Sequence, residues 1–198
     1  MVREMICEFI RRFGKTSVSE QSVRNATYKV RRELREMGLM ASGSLLDQIP
    51  VKWEPKWSFD NLWSVAHGWL GFFSSDGCMH IPENYIAGLF GWESRNLTAT
   101  LRHEYGHALE SCYPEYFHDE HFINAFGDDY GENSVQWSPE DCVSTYARTN
   151  TQEDFAETFM LYLKHKGVLP EEFSKRKAIR AKWRAIKAIC QKVLKDER

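Results

Sequence analysis

Apolar residues recur at intervals of three and four in five parts of the chain, which is the pattern of amphipathic α-helices. The pattern predicts helices over residues 2–13, 18–37, 95–112 and 151–165, and a last helix that opens at Pro170. Gly14, Gly38 and Pro114 follow three of these segments and are typical of helix ends. Thr151 is the expected N-cap of the fourth helix, since its hydroxyl can accept a hydrogen bond from the first turn.

The strand signals lie between the second and third helices. Two short strands are predicted over residues 69–73 and 78–81, joined by a turn at residues 74–77. Pro82 has no N–H to donate to a neighbouring strand, so the second strand is expected at a sheet edge. The elements together predict an α+β fold, mostly helical, with a small mixed sheet whose edge strand borders the helix of residues 95–112.

The helices and strands suggest three segments within one compact domain. Residues 1–60 form an N-terminal helical region packed on a core of residues 61–169, and residues 170–198 form a basic C-terminal helix. Residues 38–60 are predicted as a loop with one possible short strand. Residues 113–145 are predicted as a long acidic connection with few aliphatic residues.

Composition narrows the class of protein. The chain has 198 residues, of which 42% are hydrophobic and 14% aromatic, so it is long enough and apolar enough for a full core. It has no run of 18 consecutive apolar residues, so no membrane-spanning helix is expected. The net charge of −2 gives no general case for nucleic-acid binding.

Charge is unevenly distributed along the chain. Residues 1–36 carry nine Lys and Arg against five acids, and residues 164–198 carry twelve against four. Residues 37–163 carry five against nineteen, so the chemistry is expected in the acidic middle. The basic residues of the last helix are most simply a solvated face.

The cysteines bear on the cellular compartment. There are five, widely spaced and without a C-x-x-C pair, which argues against a disulfide framework. The first eight residues also lack the apolar core of a signal peptide, because charges interrupt them at positions 3, 4 and 8. We expect a reduced, cytoplasmic protein, or one exported without a cleaved signal peptide.

One predicted helix contains the sequence His-Glu-x-x-His at residues 103–107. Residues four apart lie about 40° apart around a helix, so His103 and His107 can share one metal ion, and neutral imidazoles suit Zn²⁺. Glu104 projects beside the same ion, where it can take a proton from a metal-activated water instead of binding the metal.

A catalytic zinc site needs a third protein ligand. The downstream candidates are His118, His121, Glu153, Asp154, Glu157 and His165. Glu153 and Glu157 are four apart on one face of a predicted helix, where one carboxylate can bind the metal and the other can hold a metal-bound imidazole. Exposed acidic side chains near a helix N-terminus would give the same pattern without a metal.

Residues 144–159 resemble the second conserved block of the anthrax lethal factor catalytic domain and its relatives. In that family a His-Glu-x-x-His helix is followed, roughly forty residues later, by Tyr-x-Arg-Thr-Asn and then by Glu-x-Phe-Ala-Glu. The resemblance covers about residues 95–165 and implies a zincin-like fold of the gluzincin type. It implies that Glu153 is the third zinc ligand, that Tyr146 is the active-site tyrosine and that Glu157 supports the ligands from behind.

These observations predict a zinc metalloendopeptidase that hydrolyses peptide bonds in a protein or peptide substrate. The strand around Met79, His80 and Ile81 is expected to bind the substrate, which would pair with it as an added antiparallel strand. Two alternatives remain open at this point: a non-catalytic, zinc-stabilised peptide-binding module, and a DNA-associated regulatory protease held by the basic C-terminal helix.

Overall fold

The computed structural model describes residues 16–54, 72–74, 76–82, 84–85, 96–127 and 138–197. The described elements are five α-helices, five short strands and three turns of 3₁₀-helix. The helices are α1 (Glu20–Glu36), α2 (Leu97–Cys112), α3 (Glu120–Phe126), α4 (Thr151–Lys164) and α5 (Lys177–Asp196). The 3₁₀ turns are Pro114–Tyr116, Tyr146–Arg148 and Glu171–Phe173. The described part of the chain is therefore mostly helical with little sheet, consistent with the predicted α+β class.

The strands are β1 (Thr16–Ser17), β2 (Val51–Glu54), β3 (Phe72–Phe73), β4 (Met79–Pro82) and β5 (Asn84–Tyr85). β1 and β5 form an antiparallel pair, and β2, β4 and β3 form a mixed sheet in that order. β4 runs parallel to β2, with Lys52 opposite His80, and antiparallel to β3, with Phe73 opposite Met79. The predicted hairpin over the described part of residues 69–81 is thus confirmed.

The predicted edge position of β4 is wrong. β4 lies between β2 and β3, so the main chains of Met79 and His80 are paired on both sides. Pro82 is tolerated in this inner strand because it lies at the strand end, beyond the residues that pair with β3, so β3 does not need its missing N–H. Sheet order depends on which distant strand joins the hairpin, and the added parallel strand comes from the segment predicted mainly as loop.

Three of the long helices follow the sequence periodicity closely, but the predicted start of the last helix at Pro170 is wrong: Pro170 precedes the 3₁₀ turn Glu171–Phe173, and α5 begins at Lys177. α1, α2 and α4 begin and end within a few residues of their predicted limits, and the predicted helix over residues 2–13 lies outside the described residues. The acidic connection contains a helix that was not predicted, α3, whose N-cap Asp119 accepts a hydrogen bond from the N–H of Phe122 at 2.8 Å. α4 is capped by Asn150 and not by Thr151, whose hydroxyl instead donates to the carbonyl of Phe126.

The chain divides into two compact units. The first comprises residues 1–30 and 49–101, and the second comprises residues 31–48 and 102–198. The predicted boundaries at residues 60 and 169 fall inside these units, so the sequence segments and the compact units divide the chain differently. The three-stranded sheet lies in the first unit, and the His-Glu-x-x-His sequence lies in the second.

The second unit has an aromatic core beneath α4. Phe155 on α4 lies 4.7 Å from Phe117, 5.7 Å from Phe126 and 5.7 Å from Phe159, measured between ring centres. The apolar stripe of α5 completes the core; its fully or nearly fully buried members are Ile179, Trp183, Ile186, Ile189 and Val193. α4 therefore has an apolar face fixed in the core, which leaves its polar face in a defined direction.

The structure also describes the state of the cysteines and the membrane-spanning potential of the helices. Cys78, Cys112, Cys142 and Cys190 carry free thiols, and Cys7 lies outside the described residues. Among the residues that the structure describes, no helix is long and apolar enough to cross a membrane.

Candidate metal centre

Three side-chain atoms from two helices converge on one point. The Nε2 atoms of His103 and His107, one turn apart on α2, are 3.1 Å from each other. Oε2 of Glu153, from the first turn of α4, is 3.1 Å from Nε2 of His103 and 3.6 Å from Nε2 of His107. The structure thus brings together the two histidines of the motif and the carboxylate predicted as the third ligand.

The spacing of these atoms suits a zinc ion. Ligand atoms held at about 2.0–2.1 Å from a tetrahedral zinc ion lie about 3.3 Å from one another. Oε2 of Glu153 is buried and accepts no well-oriented hydrogen bond from the described residues, although such atoms normally have a partner. Two imidazole nitrogens and a buried carboxylate oxygen are the donor set that zinc prefers. The residues present therefore fit the metal.

Gly106 explains how Glu153 reaches the two histidines. A Cβ atom at Gly106 would lie 3.0 Å from the Cα atom and 3.3 Å from the Cβ atom of Ala156 on α4. A methyl group there would press on main chain, which has little freedom to move. The glycine within the motif and the small Ala156 therefore allow α2 and α4 to approach closely enough to share a ligand set.

The N-cap of α4 fixes the backbone at Glu153. The side chain of Asn150 accepts a hydrogen bond from the N–H of Glu153 at 2.8 Å. This cap satisfies one of the first N–H groups of the helix and sets the backbone of Glu153 directly. Thr151, bonded to the Phe126 carbonyl at 3.2 Å, ties the same turn to α3.

A chain of hydrogen bonds supports His103 from behind. Nδ1 of His103 is 2.7 Å from Oε1 of Glu157, which is 1% exposed, and Oγ of Ser144 donates to the other oxygen of Glu157 at 2.7 Å. Ser144 also accepts from the N–H of Ala147 at 3.1 Å. A carboxylate on Nδ1 leaves Nε2 facing the convergence point, and it would make Nε2 a better donor to a metal ion held there. Glu157 thus has the supporting place predicted for it, and Ser144 is a residue that the sequence did not single out.

Glu104 and Tyr146 lie beside the convergence point. Glu104 is 4% exposed, and its negative charge is close enough to raise the pKa values of both His103 and Tyr146. The ring of Tyr146 is 5.8 Å from the ring of His103, centre to centre. Tyr146 belongs to a 3₁₀ turn that packs on α4, so its position depends on the same helix as Glu153.

In the centre, the contacts between the imidazoles and the carboxylates offset the effect of burial on the pKa values of His103 and Glu153. Burial alone would lower the pKa of His103, but the carboxylates of Glu153 and Glu157 beside its two ring nitrogens outweigh burial and raise that pKa. Burial alone would raise the pKa of Glu153, but the two imidazoles hold it well below its usual range. Burial and the Glu153 carboxylate both raise the pKa of Tyr146, so its hydroxyl keeps its proton at neutral pH. Tyr146 is therefore a hydrogen-bond donor.

Two arginine contacts hold α2 within the second unit. Arg102 forms a two-pronged ion pair with Glu33, with nitrogen–oxygen distances of 2.7 and 2.8 Å, and both side chains are largely buried. Nε of Arg31 donates to the hydroxyl of Tyr105 at 2.8 Å. Arg102 immediately precedes the histidine motif and Tyr105 lies within it, so the contacts fix the rotation of the helix at His103 and His107. Sequence periodicity gave no signal for this pairing.

The neighbouring carboxylate, Asp154, points away from the metal centre. Its Oδ2 is 2.5 Å from Nζ of Lys182 on α5, and both side chains are fully buried. Lys182 also donates to the carbonyl of Asp141 at 2.6 Å and lies 3.8 Å from Sγ of Cys142. The expectation that the basic residues of the last helix are all solvated is wrong at Lys182.

Other predicted site residues lie elsewhere. His118 and His121 are exposed, and they are not part of the ligand group. Met79 and Ile81 are fully buried in the first unit, and β4 has no free edge at Met79 or His80 for an added strand. Substrate binding by strand addition to this part of β4 is therefore excluded by the sheet order.

No protein-family model matches this chain, and comparisons with curated proteins and with solved structures found no significant match.

Proposed function

We propose that this chain is a zinc-dependent endopeptidase of the zincin type, related to the lethal factor catalytic domain, acting on a protein or peptide substrate. One observation carries the proposal: His103, His107 and Glu153 direct three ligand atoms to one point. Glu104 and Tyr146, which metal binding alone does not require, lie beside that point.

Glu104 has the features of a general base. Its carboxylate is buried, it follows a metal ligand on the same helix, and it lies near the ligand atoms without being one of them. When bound, Zn²⁺ supplies a Lewis acid that polarises a carbonyl group and lowers the pKa of water to near 7. Glu104 would accept the proton of the attacking water and then deliver it to the nitrogen of the departing amine.

Tyr146 has the features of an oxyanion donor. Its hydroxyl stays protonated, because burial and the nearby carboxylates raise its pKa. A donor fixed in a partly buried site contributes most where negative charge develops in the transition state. Tyr146 would donate its hydrogen bond to the oxygen of the tetrahedral intermediate as the carbonyl is attacked.

The proposal is tested by a proteome-wide cleavage profile of the full chain and of its Glu104→Gln variant. We expect cleaved peptide bonds with the wild type and a loss of roughly 10²–10⁴ in rate with Glu104→Gln, the range for removing a general base. Zinc content should be the same in both. Equal cleavage by the two proteins would overturn the proposal.

Tyr146→Phe separates an enzyme from a peptide-binding module. We expect kcat to fall by roughly 10²–10³ on any peptide that the wild type cleaves, with zinc content and melting temperature unchanged. Tyr162→Phe is the matched control, because Tyr162 lies on α4 but packs against Trp183 at 5.2 Å between ring centres. Full activity in Tyr146→Phe would remove the tyrosine from the mechanism and weaken the lethal-factor-like assignment.

A binding module would behave differently. It would hold zinc and bind peptides, yet neither Glu104→Gln nor Tyr146→Phe would change a rate, since no bond would be broken. A DNA-associated protease would cleave peptides and also bind duplex DNA with an affinity that falls steeply as salt rises. The cleavage profile, repeated with and without DNA at two salt concentrations, distinguishes these alternatives.

A further inference from the structure

A second group of metal-binding side chains lies in the first unit, on the turn and strand that follow β3. Oδ of Asp76, Sγ of Cys78 and a ring nitrogen of His80 all lie within 4.8 Å of one another. Cys78 and His80 are two residues apart in extended chain, so they point to the same face of the sheet. Asp76 returns to that face because its carboxylate accepts the N–H of Cys78 at 3.0 Å.

His80 is oriented as a metal-binding histidine would be. Its Nδ1 is 2.9 Å from Oε1 of Glu54, and its Nε2 is 3.5 Å from the carboxylate of Asp76. Glu54 lies on β2, on the same face as Lys52, which is the register partner of His80. The arrangement matches that of His103 and Glu157: a carboxylate holds Nδ1 and turns Nε2 toward the other donors.

We propose that Asp76, Cys78 and His80 form a second site for Zn²⁺, with Glu54 as the carboxylate that positions His80. A thiolate, an imidazole and a carboxylate on one face are donors that favour zinc and other borderline transition metals over Mg²⁺ or Ca²⁺. The thiol is 7% exposed while Asp76 lies at the surface, so an ion can reach the site from solvent. The site does not depend on the proposed peptidase function.

Lys52 sets the affinity of this site. Its Nζ lies 3.5 Å from Oδ2 of Asp76, so without metal it partly neutralises the carboxylate that the cation would use. Its side chain is 48% exposed, so it can move into solvent when a cation enters. Because the ammonium and the cation compete for the Asp76 carboxylate, the site should bind zinc less tightly than the buried His103–His107–Glu153 centre.

Cobalt titration of the full chain tests the second site, because the two centres differ in sulfur. Cobalt coordinated by a thiolate shows an intense near-ultraviolet charge-transfer absorption, whereas a site of two histidines and a glutamate has no thiolate. We expect wild-type protein with Co²⁺ to develop this absorption. Cys78→Ser should abolish it, and His103→Ala should retain it. Cys112→Ser is the matched control and should also retain it.

Substitutions at the partly exposed residues test the assignment without relying on the buried thiol. Asp76→Asn should weaken the cobalt binding that produces the thiolate absorption at least tenfold. Glu54→Gln should weaken it by about 10–100-fold, the effect of losing a supporting carboxylate. Lys52→Met should strengthen it severalfold, which a merely structural role for the cluster would not produce.

Three results would overturn the second site. They are the absence of a thiolate absorption at saturating Co²⁺ in reduced wild-type protein, its survival in Cys78→Ser, and equal affinities in wild type and Asp76→Asn. A failed second site would leave the zinc content of the His103–His107–Glu153 centre and the cleavage profile unchanged. The two proposals therefore fail separately.

Discussion

Glu153 and Asp154 are consecutive residues of α4, and each carries its carboxylate into a different buried cluster. In the metal cluster, Glu153 meets His103 and His107, with Glu157 behind them. In the lysine cluster, Asp154 meets Lys182, whose ammonium also donates to the Asp141 carbonyl. The two clusters share one helix but differ in what balances their carboxylates, and the lysine pair is fully buried whereas Glu153 and His107 are 14% and 21% exposed.

The lysine cluster is complete within the chain. One ammonium faces Oδ2 of the carboxylate, with Sγ of Cys142 3.9 Å from the same oxygen, and the Thr158 hydroxyl donates to Oδ1 at 3.4 Å. In the metal cluster, by contrast, Oε2 of Glu153 has no well-oriented hydrogen bond from the described residues. Its neighbours are two imidazole nitrogens 3.1 Å apart, which are neutral when they act as ligands.

The contrast teaches how a buried charge identifies a binding site. Burying a charge costs several kcal/mol unless a partner compensates it, so a complete cluster needs no further component. The metal cluster directs three donor atoms to one point, which is what a site for a dication requires. The lysine cluster is thus a structural counterpart to the metal centre.

Lys182→Met should break the lysine cluster and produce the largest loss of stability. It leaves the Asp154 carboxylate buried without its partner, which costs about 3–5 kcal/mol at neutral pH. Chemical denaturation measures the loss. Replacing both residues, Lys182→Met with Asp154→Leu, should recover most of it, and a double variant as unstable as the single one would contradict the pairing.

The cost of Lys182→Met should also depend on pH. Burial already raises the pKa of Asp154 to about 6 with Lys182 in place, and removing the ammonium raises it further. The folded state then binds a proton that the unfolded state, with its lower pKa, has lost, so stability falls as pH rises through the folded pKa. Unfolding of the variant at about pH 5 and about pH 8 should show the smaller deficit at the lower pH.

Gly106→Ala should separate the two helices of the metal cluster while leaving the lysine cluster in place. The added methyl group meets the main chain of Ala156, and overpacking of this kind costs about 1–3 kcal/mol. Zinc affinity should fall together with stability, because Glu153 moves away from α2. Gly43→Ala is not a suitable control, since Gly43 has a φ of +82° and would be strained for a different reason. Ala108→Gly, on the same helix, tests whether loss of helix stability alone lowers zinc affinity.

Ser144→Ala should weaken the metal cluster alone. Without the Ser144 hydroxyl, Glu157 keeps His103 but loses its own support, so zinc affinity should fall about tenfold, the lower end for a residue behind a ligand. Competition with a fluorescent chelator measures the change. Ser144→Thr retains the hydroxyl and should restore affinity, whereas equal affinities in all three proteins would remove Ser144 from the relay.

Lys192→Met should have the smallest effect and calibrates the comparison of lysine pairs. Lys192 lies ten residues after Lys182 on α5 and pairs with Asp119 at 2.5 Å, but both side chains are about one-third exposed. Exposed pairs typically contribute 0–1 kcal/mol, so we expect a loss below about 1 kcal/mol. A loss as large as that of Lys182→Met would show that burial is not what distinguishes the two pairs.

The grouping of His103, His107 and Glu153 could be predicted from the sequence because its parts are local. Two histidines four residues apart need only a helix to face one point, and the Glu153 helix is set by its own apolar period. The resemblance in residues 144–159 then named Glu153, Glu157 and Tyr146 together. The close helix approach at Gly106 was not predicted, because a glycine inside a helix is equally typical of a weak point.

The lysine cluster and the sheet order were beyond the same reasoning. Lys182 lies within a run of basic residues, and charge patterning treats such a run as solvent-facing; its partner is on another helix. The inner position of β4 depends on β2, which lies before β3 in the chain and is separated from β4 by residues 55–78. Long-range pairings of this kind leave no periodic signal in the sequence.

Elemental analysis of zinc in the full chain tests the central claim most directly. The Cys78→Ser background removes the second site, so that protein should carry about one Zn²⁺ per chain, as a single catalytic site does. His103→Ala or Glu153→Ala added to that background should bring zinc close to zero, while Glu104→Gln added to it should leave zinc unchanged. Zinc content that is the same with and without His103, or no zinc in any folded variant, would contradict the metal centre.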